Sequence, residues 1–553
     1  ITATAPITNK VYKIFPSALE VIWSRIDPLV DTNVGLIKGL RATDGDYSMF
    51  LGIPFAQVDE NNPFGASTPY PKFENTFEAY DDSAVCPQIE EFNNTLTGTL
   101  DCLHLNIYVP STATSRNRLP VLVWIYGGGF SIGFANRYLY GANFLVRHDV
   151  ILVTVNYRLG PYGFMCLDHP EIPGNQGFKD QLLALRWIKD NIEAFGGDDN
   201  KITIFGESAG AIAVDFHLLS NNEKLYDKVI LQSGTSLSPI IYEPIRRAPQ
   251  ILAEYLGLQT NDTDEAINFL AKIDTNLVIG ALEDLGMSTS FRPCIEKKFE
   301  GAESFITENW IRADIPKVRN MPILIGFTND ERLGSHVFGD DDHFQNLNTV
   351  DQHLSNSFDV DDDEFQDMDK IVYHFYFGDE PMSMKNKRGV IDLESDFMYI
   401  HPTYRSIDKY IENDAGNIFM FVFSYVGERN FVRQRLNITD VGKATHADEI
   451  GYLFDVSYMK NQPISFNDQQ VIDQMTTMWA NFVKYGNPTP QTTDLLPVEW
   501  LPITKGSSLY YMDIDSELKL GTRPFNARSA FWDLFYLKNK HLQRVYRGGN
   551  VVF

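Results

Sequence analysis

The chain has 553 residues, with 47 Lys+Arg against 73 Asp+Glu and a formal net charge of −26. An acid excess of this size repels polyanions and anionic lipid surfaces, which argues against nucleic acid as the partner and for a soluble chain, and says little more. With 44% hydrophobic and 13% aromatic residues, the chain buries a large core and is not a disordered one.

Taken in order, the N-terminal ITATAPITNK has neither Met nor an apolar signal core and reads as a secreted, extracellular protein after processing. Cys86 and Cys102 enclose 15 residues and are expected to pair. Closing such a loop contributes on the order of 3 kcal/mol in the chain-entropy picture. Asn93-Asn94-Thr95 lies inside it as an N-glycosylation sequon, and Asn261 and Asn437 open two more. Sequons together with a disulfide favour an oxidising compartment. Cys166 and Cys294 are expected to be buried free thiols.

Apolar runs at 119–126, 149–157, 202–205, 227–233, 321–327 and 418–425 read as buried strands. Near Asp180 a helical pattern begins that carries Leu185, Ile188, Ile192 and Phe195, and Gly196 with Gly197 then stops it. Strand–helix alternation predicts an α/β fold with a large central, mostly parallel mixed sheet and helices on both faces. No repeat and no Pro- or Gly/Ser-rich linker divides the chain, so residues 1–553 are expected to form a single domain. Nowhere do the roughly 20 consecutive apolar residues of a spanning helix occur, so no membrane insertion is expected. Two acidic clusters, Asp340 to Asp342 and Asp361 to Glu364, lack the spacing and turn glycine of a calcium loop and read as solvated surface. No metal or cofactor is expected.

The pentapeptide G-x-S-x-G places a serine on a tight strand-to-helix turn. Chance supplies about 0.2 matches in a chain of this length, and two occur, at Ser131 and Ser208. ITIF enters the turn at Ser208, small residues follow, and AGAIAVDFHLLS continues as an apolar helix, so Ser208 is the candidate nucleophile and Ser131 a loop residue. Gly127, Gly128 and Gly129 follow the run at 119–126; with no Cβ in the way, their N–H groups are free to converge on an anion together with the N–H of Ala209. An acid is expected just beyond a buried strand, and spacing leaves both Asp330 and Glu331 open after MPILIGF. Eight histidines follow Ser208. His446, in ATHADE, stands where a base is expected, and His336 is a decoy near Glu331.

With these residues in view, the sequence resembles the type-B carboxylesterase and cholinesterase family of α/β hydrolases, closest in character to secreted insect, moth-type, carboxylesterases. The resemblance spans nearly the whole chain and runs through FLGIPFA (50–56), DCLHLNIYVP (101–110), WIYGGGF (124–130), NYRLGPYGF (156–164), GNQGFKDQ (174–181), FGESAG and LQSG (231–234). It implies Ser208 as nucleophile, Glu331 as acid and His446 as base. It further implies Gly128, Gly129 and Ala209 as oxyanion donors, Ser233 and Glu449 as supports, and a bond between Cys86 and Cys102. Departures limit the substrate. None of the seven tryptophans lies within residues 86–102, so a quaternary ammonium lacks its aromatic face. Ile240 stands where cholinesterases narrow the acyl pocket with a tryptophan. A family arginine is replaced near Pro63, and the acid before the second cysteine is Leu100.

The expectation is a secreted serine esterase, monomeric or homodimeric, acting through an acyl-serine on small to medium apolar esters of odorant, pheromone or xenobiotic type. Juvenile hormone hydrolysis is the alternative substrate, weakened because such esterases typically carry Gln where Glu207 stands. A non-catalytic adhesion or carrier protein on the same fold is the alternative of another class.

Overall fold

The computed structural model describes residues 28–239, 244–460 and 463–544. At its centre is an eleven-stranded mixed sheet. In chain order the strands are β1 (Leu40–Arg41), β2 (Tyr47–Pro54), β3 (His104–Pro110), β4 (Leu119–Ile125), β5 (Ile151–Val155) and β6 (Gly197–Glu207). They continue with β7 (Lys228–Gln232), β8 (Ile323–Thr328), β9 (Ile418–Phe423), β10 (Tyr510–Ile514) and β11 (Leu518–Thr522). Their spatial order is β11-β10-β9-β8-β7-β6-β4-β5-β3-β2-β1. Neighbours from β10 to β5 run parallel, and both edges are antiparallel.

Strands β4, β5, β7, β8 and β9 are buried along their whole length, as the interior strands of a sheet covered on both faces are. The six runs expected as strands are β4 to β9. The register departs most at β6, which begins at Gly197 because the chain there already pairs with Leu119 of β4. Strands β2 and β3 were not expected. Polar residues break their apolar pattern, and one of them, Asn106, is buried and donates to Ala135 O at 3.0 Å and Thr154 Oγ1 at 3.1 Å.

Helix α1 (Gln176–Asn191) tightens into a 3₁₀ turn, Ile192–Phe195, and Gly196 ends it at φ +81°. Helix α2 (Ala209–Leu219) follows β6 directly, α3 (His401–Glu412) precedes β9, and α4 (Phe466–Tyr485) packs with α2 on β4 and β6. The order of the sheet reverses beside β4: the chain moves outward to β5 and returns to β6 on the other side. Such a switch point opens a crevice at the carboxyl ends of the strands.

Cys86 and Cys102 are bonded, with Cα atoms 5.0 Å apart. Cys166 and Cys294, expected as free thiols, are bonded to each other instead, at a Cα separation of 6.6 Å. A pairing across 128 residues is set by the tertiary fold rather than by local spacing, which hides it from the sequence. Asp340 and Asp361, from the two acidic clusters, each cap a helix, accepting from His343 N at 2.8 Å and Glu364 N at 2.9 Å. Asn93, Asn261 and Asn437 are exposed. No helix among the described residues is long and apolar enough to cross a membrane.

Candidate active site

β6 ends at Glu207 and α2 begins at Ala209, so Ser208 alone makes the turn, at φ +56° and ψ −126°. A non-glycine residue persists there only where its surroundings over-determine it. Ser208 N donates to Gln232 O at 2.8 Å, and Ser208 O accepts from Ile212 N at 3.0 Å. A Cβ on Gly210 would lie 2.0 Å from Ile125 O, and one on Gly206 would lie 2.4 Å from the Gly210 carbonyl carbon. β4, the turn and α2 therefore meet at a distance that only glycine allows. Ser208 is half-buried, and its hydroxyl makes no hydrogen bond among the described residues.

Beyond β4, Gly128, Gly129 and Phe130 stand at φ +101°, +60° and +60°. Gly128 O accepts from Ser131 N and Ile132 N, each at 3.1 Å, which closes the turn. The N–H groups of Gly128, Gly129 and Ala209 donate to no protein acceptor among the described residues. Gly128 and Gly129 line a cavity of about 270 Å³ whose wall combines Ile89, Ile132, Ile279 and Leu282 with polar residues that include Gln88 and Glu283. The Ser131 hydroxyl is committed elsewhere, donating to Ser288 O at 2.9 Å.

Glu331 follows β8 and is buried. Its Oε1 accepts from Ser233 Oγ at 2.6 Å and from Thr328 N at 2.8 Å, and its Oε2 lies 2.6 Å from His446 Nδ1. His446 N also donates to Glu331 O at 3.2 Å, so the acid and the imidazole are tied through backbone as well as side chain. Facing a carboxylate, Nδ1 carries the proton and Nε2 presents its lone pair. Nε2 lies 3.1 Å from Glu207 Oε1, the residue before Ser208, in an approach not aligned as a hydrogen bond. The Tyr399 ring, 4.7 Å from the imidazole, packs against it.

The structure thus brings His446 and Glu331 to the turn that carries Ser208, without a hydrogen bond between His446 and the Ser208 hydroxyl. Asp330, left open by spacing, faces away and accepts from Arg388 Nη2 and Lys443 N, both at 2.7 Å. His336 pairs with Glu394 at 2.8 Å and His343 at 3.0 Å. Ile240 lies outside the described residues, as does the N-terminal ITATAPITNK.

Two further carboxyls, Glu207 and Glu449, are buried near Glu331. Glu449 accepts from Gln232 Nε2 at 3.0 Å, and Gln232 Oε1 accepts from Trp479 Nε1 at 2.9 Å. Glu449 Oε2 has no partner among the described residues. Burial first, and then the neighbouring Glu207, push the Glu449 carboxyl up to about 8. Burial, then Glu331, drive Glu207 well above the ordinary carboxylate range. Both favour the neutral acid, which leaves Glu331 as the charge that faces the imidazole. Gln232 and Tyr399 were not singled out in the sequence. Gln232 sits inside LQSG, but only the fold shows that it bridges Trp479 and Glu449.

Residues 26–532 match the model of the Carboxylesterase family. The bile salt-activated lipase of Homo sapiens is 30% identical over 538 residues, covering 92% of this chain and 69% of the lipase. Esterase FE4 of Myzus persicae is 31% identical over 484 residues, covering 82% and 83%. Among solved structures, juvenile hormone esterase from Manduca sexta with OTFP covalently attached matches at a TM-score of 0.79 and 27% identity, over 92% of this chain and 100% of that one.

Proposed function

The chain belongs to the carboxylesterase family and is a carboxylic-ester hydrolase of the α/β-hydrolase fold; from that premise we propose that it is a secreted serine esterase acting through an acyl-serine. Ser208 is the nucleophile, His446 the base, Glu331 the acid, and Gly128, Gly129 and Ala209 the oxyanion donors. The observation that carries this reading is the 2.6 Å contact from His446 Nδ1 to Glu331, which leaves a basic Nε2 on the side of the Ser208 turn.

Side-chain rotation brings Nε2 onto the Ser208 hydroxyl, a contact that commonly tightens only with substrate bound. Oγ attacks the ester carbonyl as Nε2 takes its proton. The unpartnered N–H groups receive the developing oxyanion, and Glu331 stabilises the imidazolium. The carbonyl re-forms, and the alkoxide leaves with the proton from Nε2. Water, deprotonated by the same nitrogen, then attacks acyl-Ser208, and the acid departs. Ser233 holds the unused oxygen of Glu331.

Four aliphatic side chains around the cavity beside the glycine loop support small to medium apolar esters as substrates. Two disulfides and three exposed sequon asparagines support secretion. Juvenile hormone is the second substrate reading, supported by the match to the Manduca sexta esterase. A burst of alcohol equal to the enzyme concentration, and labelling of Ser208 by one equivalent of an organophosphate, are expected. A Ser208→Ala protein that keeps the full rate refutes the assignment. Comparing kcat/KM for short acetate esters, naphthyl esters and juvenile hormone separates the substrate readings.

A further inference from the structure

Arg292 stands where the glycine loop meets the segment 287–291. Its Nη1 donates to the carbonyl of Gly129 and lies 3.3 Å from both Ser131 Oγ and Phe291 O. Ser131 Oγ directs its one proton between Ser288 O at 2.9 Å and Gly129 O at 3.3 Å, so its lone pairs are left to accept from Arg292. Two segments far apart in the chain are thereby braced through one guanidinium and one hydroxyl.

The loop they brace is strained at Phe130. Gly128, Gly129 and Phe130 hold left-handed φ angles in succession, and the third has a large side chain. Successive peptide oxygens in this loop are each restrained: Gly128 O by Ser131 N and Ile132 N, Gly129 O by Arg292 and by Ser131 Oγ at 3.3 Å, and Phe130 O by Gly160 N at 2.8 Å. Of these restraints, the one from Arg292 is supplied by a charged side chain, and a charge-assisted bond is the stronger kind. The same guanidinium borders the cavity lined by Gly128 and Gly129.

We propose that Arg292 is a positioning residue for the oxyanion loop. It holds the Gly129 carbonyl away from the reaction, so that the Gly128 and Gly129 N–H groups stay aimed at the place where negative charge develops. Its own charge adds a favourable field there. That field matters in a chain of net charge −26 whose charged carboxylate at the site, Glu331, opposes the build-up of an anion. The inference rests on the reading of Ser208 as the nucleophile and asks what keeps its oxyanion donors in place.

The test compares wild type, Arg292→Leu, Arg292→Lys and Ser131→Ala on a short 4-nitrophenyl ester. It also measures affinity for a trifluoromethyl ketone, whose hemiketal oxyanion on Ser208 needs the same donors. Full loss of an oxyanion donor costs roughly 10² to 10³ in rate, and a misaligned one less, so kcat is expected to fall about 10- to 30-fold in Arg292→Leu. Ketone affinity is expected to fall by the same factor, with KM and melting temperature held. Lys restores part of the rate, and Ser131→Ala falls in the same direction by a smaller factor.

Unchanged kcat and ketone affinity in Arg292→Leu overturn the proposal. So does a rise in KM alone, which makes Arg292 a wall of the substrate cavity, or a rate loss that tracks the melting temperature, which makes it structural. Ser208→Ala separates the two claims. An active Ser208→Ala defeats the parent reading, whereas an inactive one beside a fully active Arg292→Leu defeats this inference alone.

Discussion

Replacing Glu449 by Gln tests the electrostatics of the carboxyls around Glu331. Gln has the same shape and still accepts from Gln232 Nε2, so the contact at 3.0 Å survives. What changes is the proton. The Glu449 carboxyl is pushed up to about 8 from an ordinary 4.5 because it is buried and faces Glu207. A raised carboxyl stabilises the fold fully below the unfolded value, and that contribution is lost as pH rises through the folded one. The window is therefore about pH 4.5 to 8, and at 1.36 kcal/mol per unit the loss is at most about 5 kcal/mol. Gln does not titrate. Urea unfolding of both proteins at pH 5 and pH 8.5 is expected to show the variant gaining on wild type by a few kcal/mol across the interval. Glu207 couples to Glu449, so a Glu207→Gln/Glu449→Gln pair is expected to gain less than the sum of the two single changes. Parallel pH profiles for wild type and Glu449→Gln would show that Glu449 is ionised in the fold, and the account of a lone charged carboxylate at His446 would fall.

Glu331→Gln turns an amide N–H toward His446 Nδ1, forcing the proton onto Nε2; kcat is expected to drop about 10⁴-fold with KM little changed, as steady-state kinetics would show. An equal rate at saturating substrate would remove Glu331 from the site. Cys166→Ser/Cys294→Ser is expected to cost about 2 to 5 kcal/mol in denaturant unfolding, since the bond closes a long loop. Arg158 and Asp180 form a fully buried pair at 2.7 Å, and Arg158 Nη1 also donates to Pro63 O at 3.1 Å. Arg158→Met strands Asp180 and is expected to cost about 3 to 5 kcal/mol, whereas Arg158→Met/Asp180→Leu costs less; equal losses in urea midpoints would contradict this.

Local pattern carried the sheet's interior because strands buried on both faces are written as continuous apolar runs. The flanking antiparallel strands escaped that reading: β3 carries Asn106, whose partners are Thr154 on β5 and Ala135 in a loop, and β10 and β11 pair antiparallel at the other margin. Glu331 and Asp330 were indistinguishable by spacing, since adjacent residues after a strand point in opposite directions. In the fold one meets His446 and the other meets Arg388.

By itself the chain determined the α/β architecture, the turn at Ser208 and the glycine loop, all of which depend on residues within a few positions of one another. Spacing left open which acid faces His446, and tertiary structure decided it; tertiary structure alone decided that Cys166 reaches Cys294, that Gln232 joins Trp479 to Glu449, and that Arg292 braces the loop. These are contacts between residues about a hundred or more positions apart. Spacing cannot encode them, because loop closure leaves distant segments free to meet in many ways until the packed core selects one.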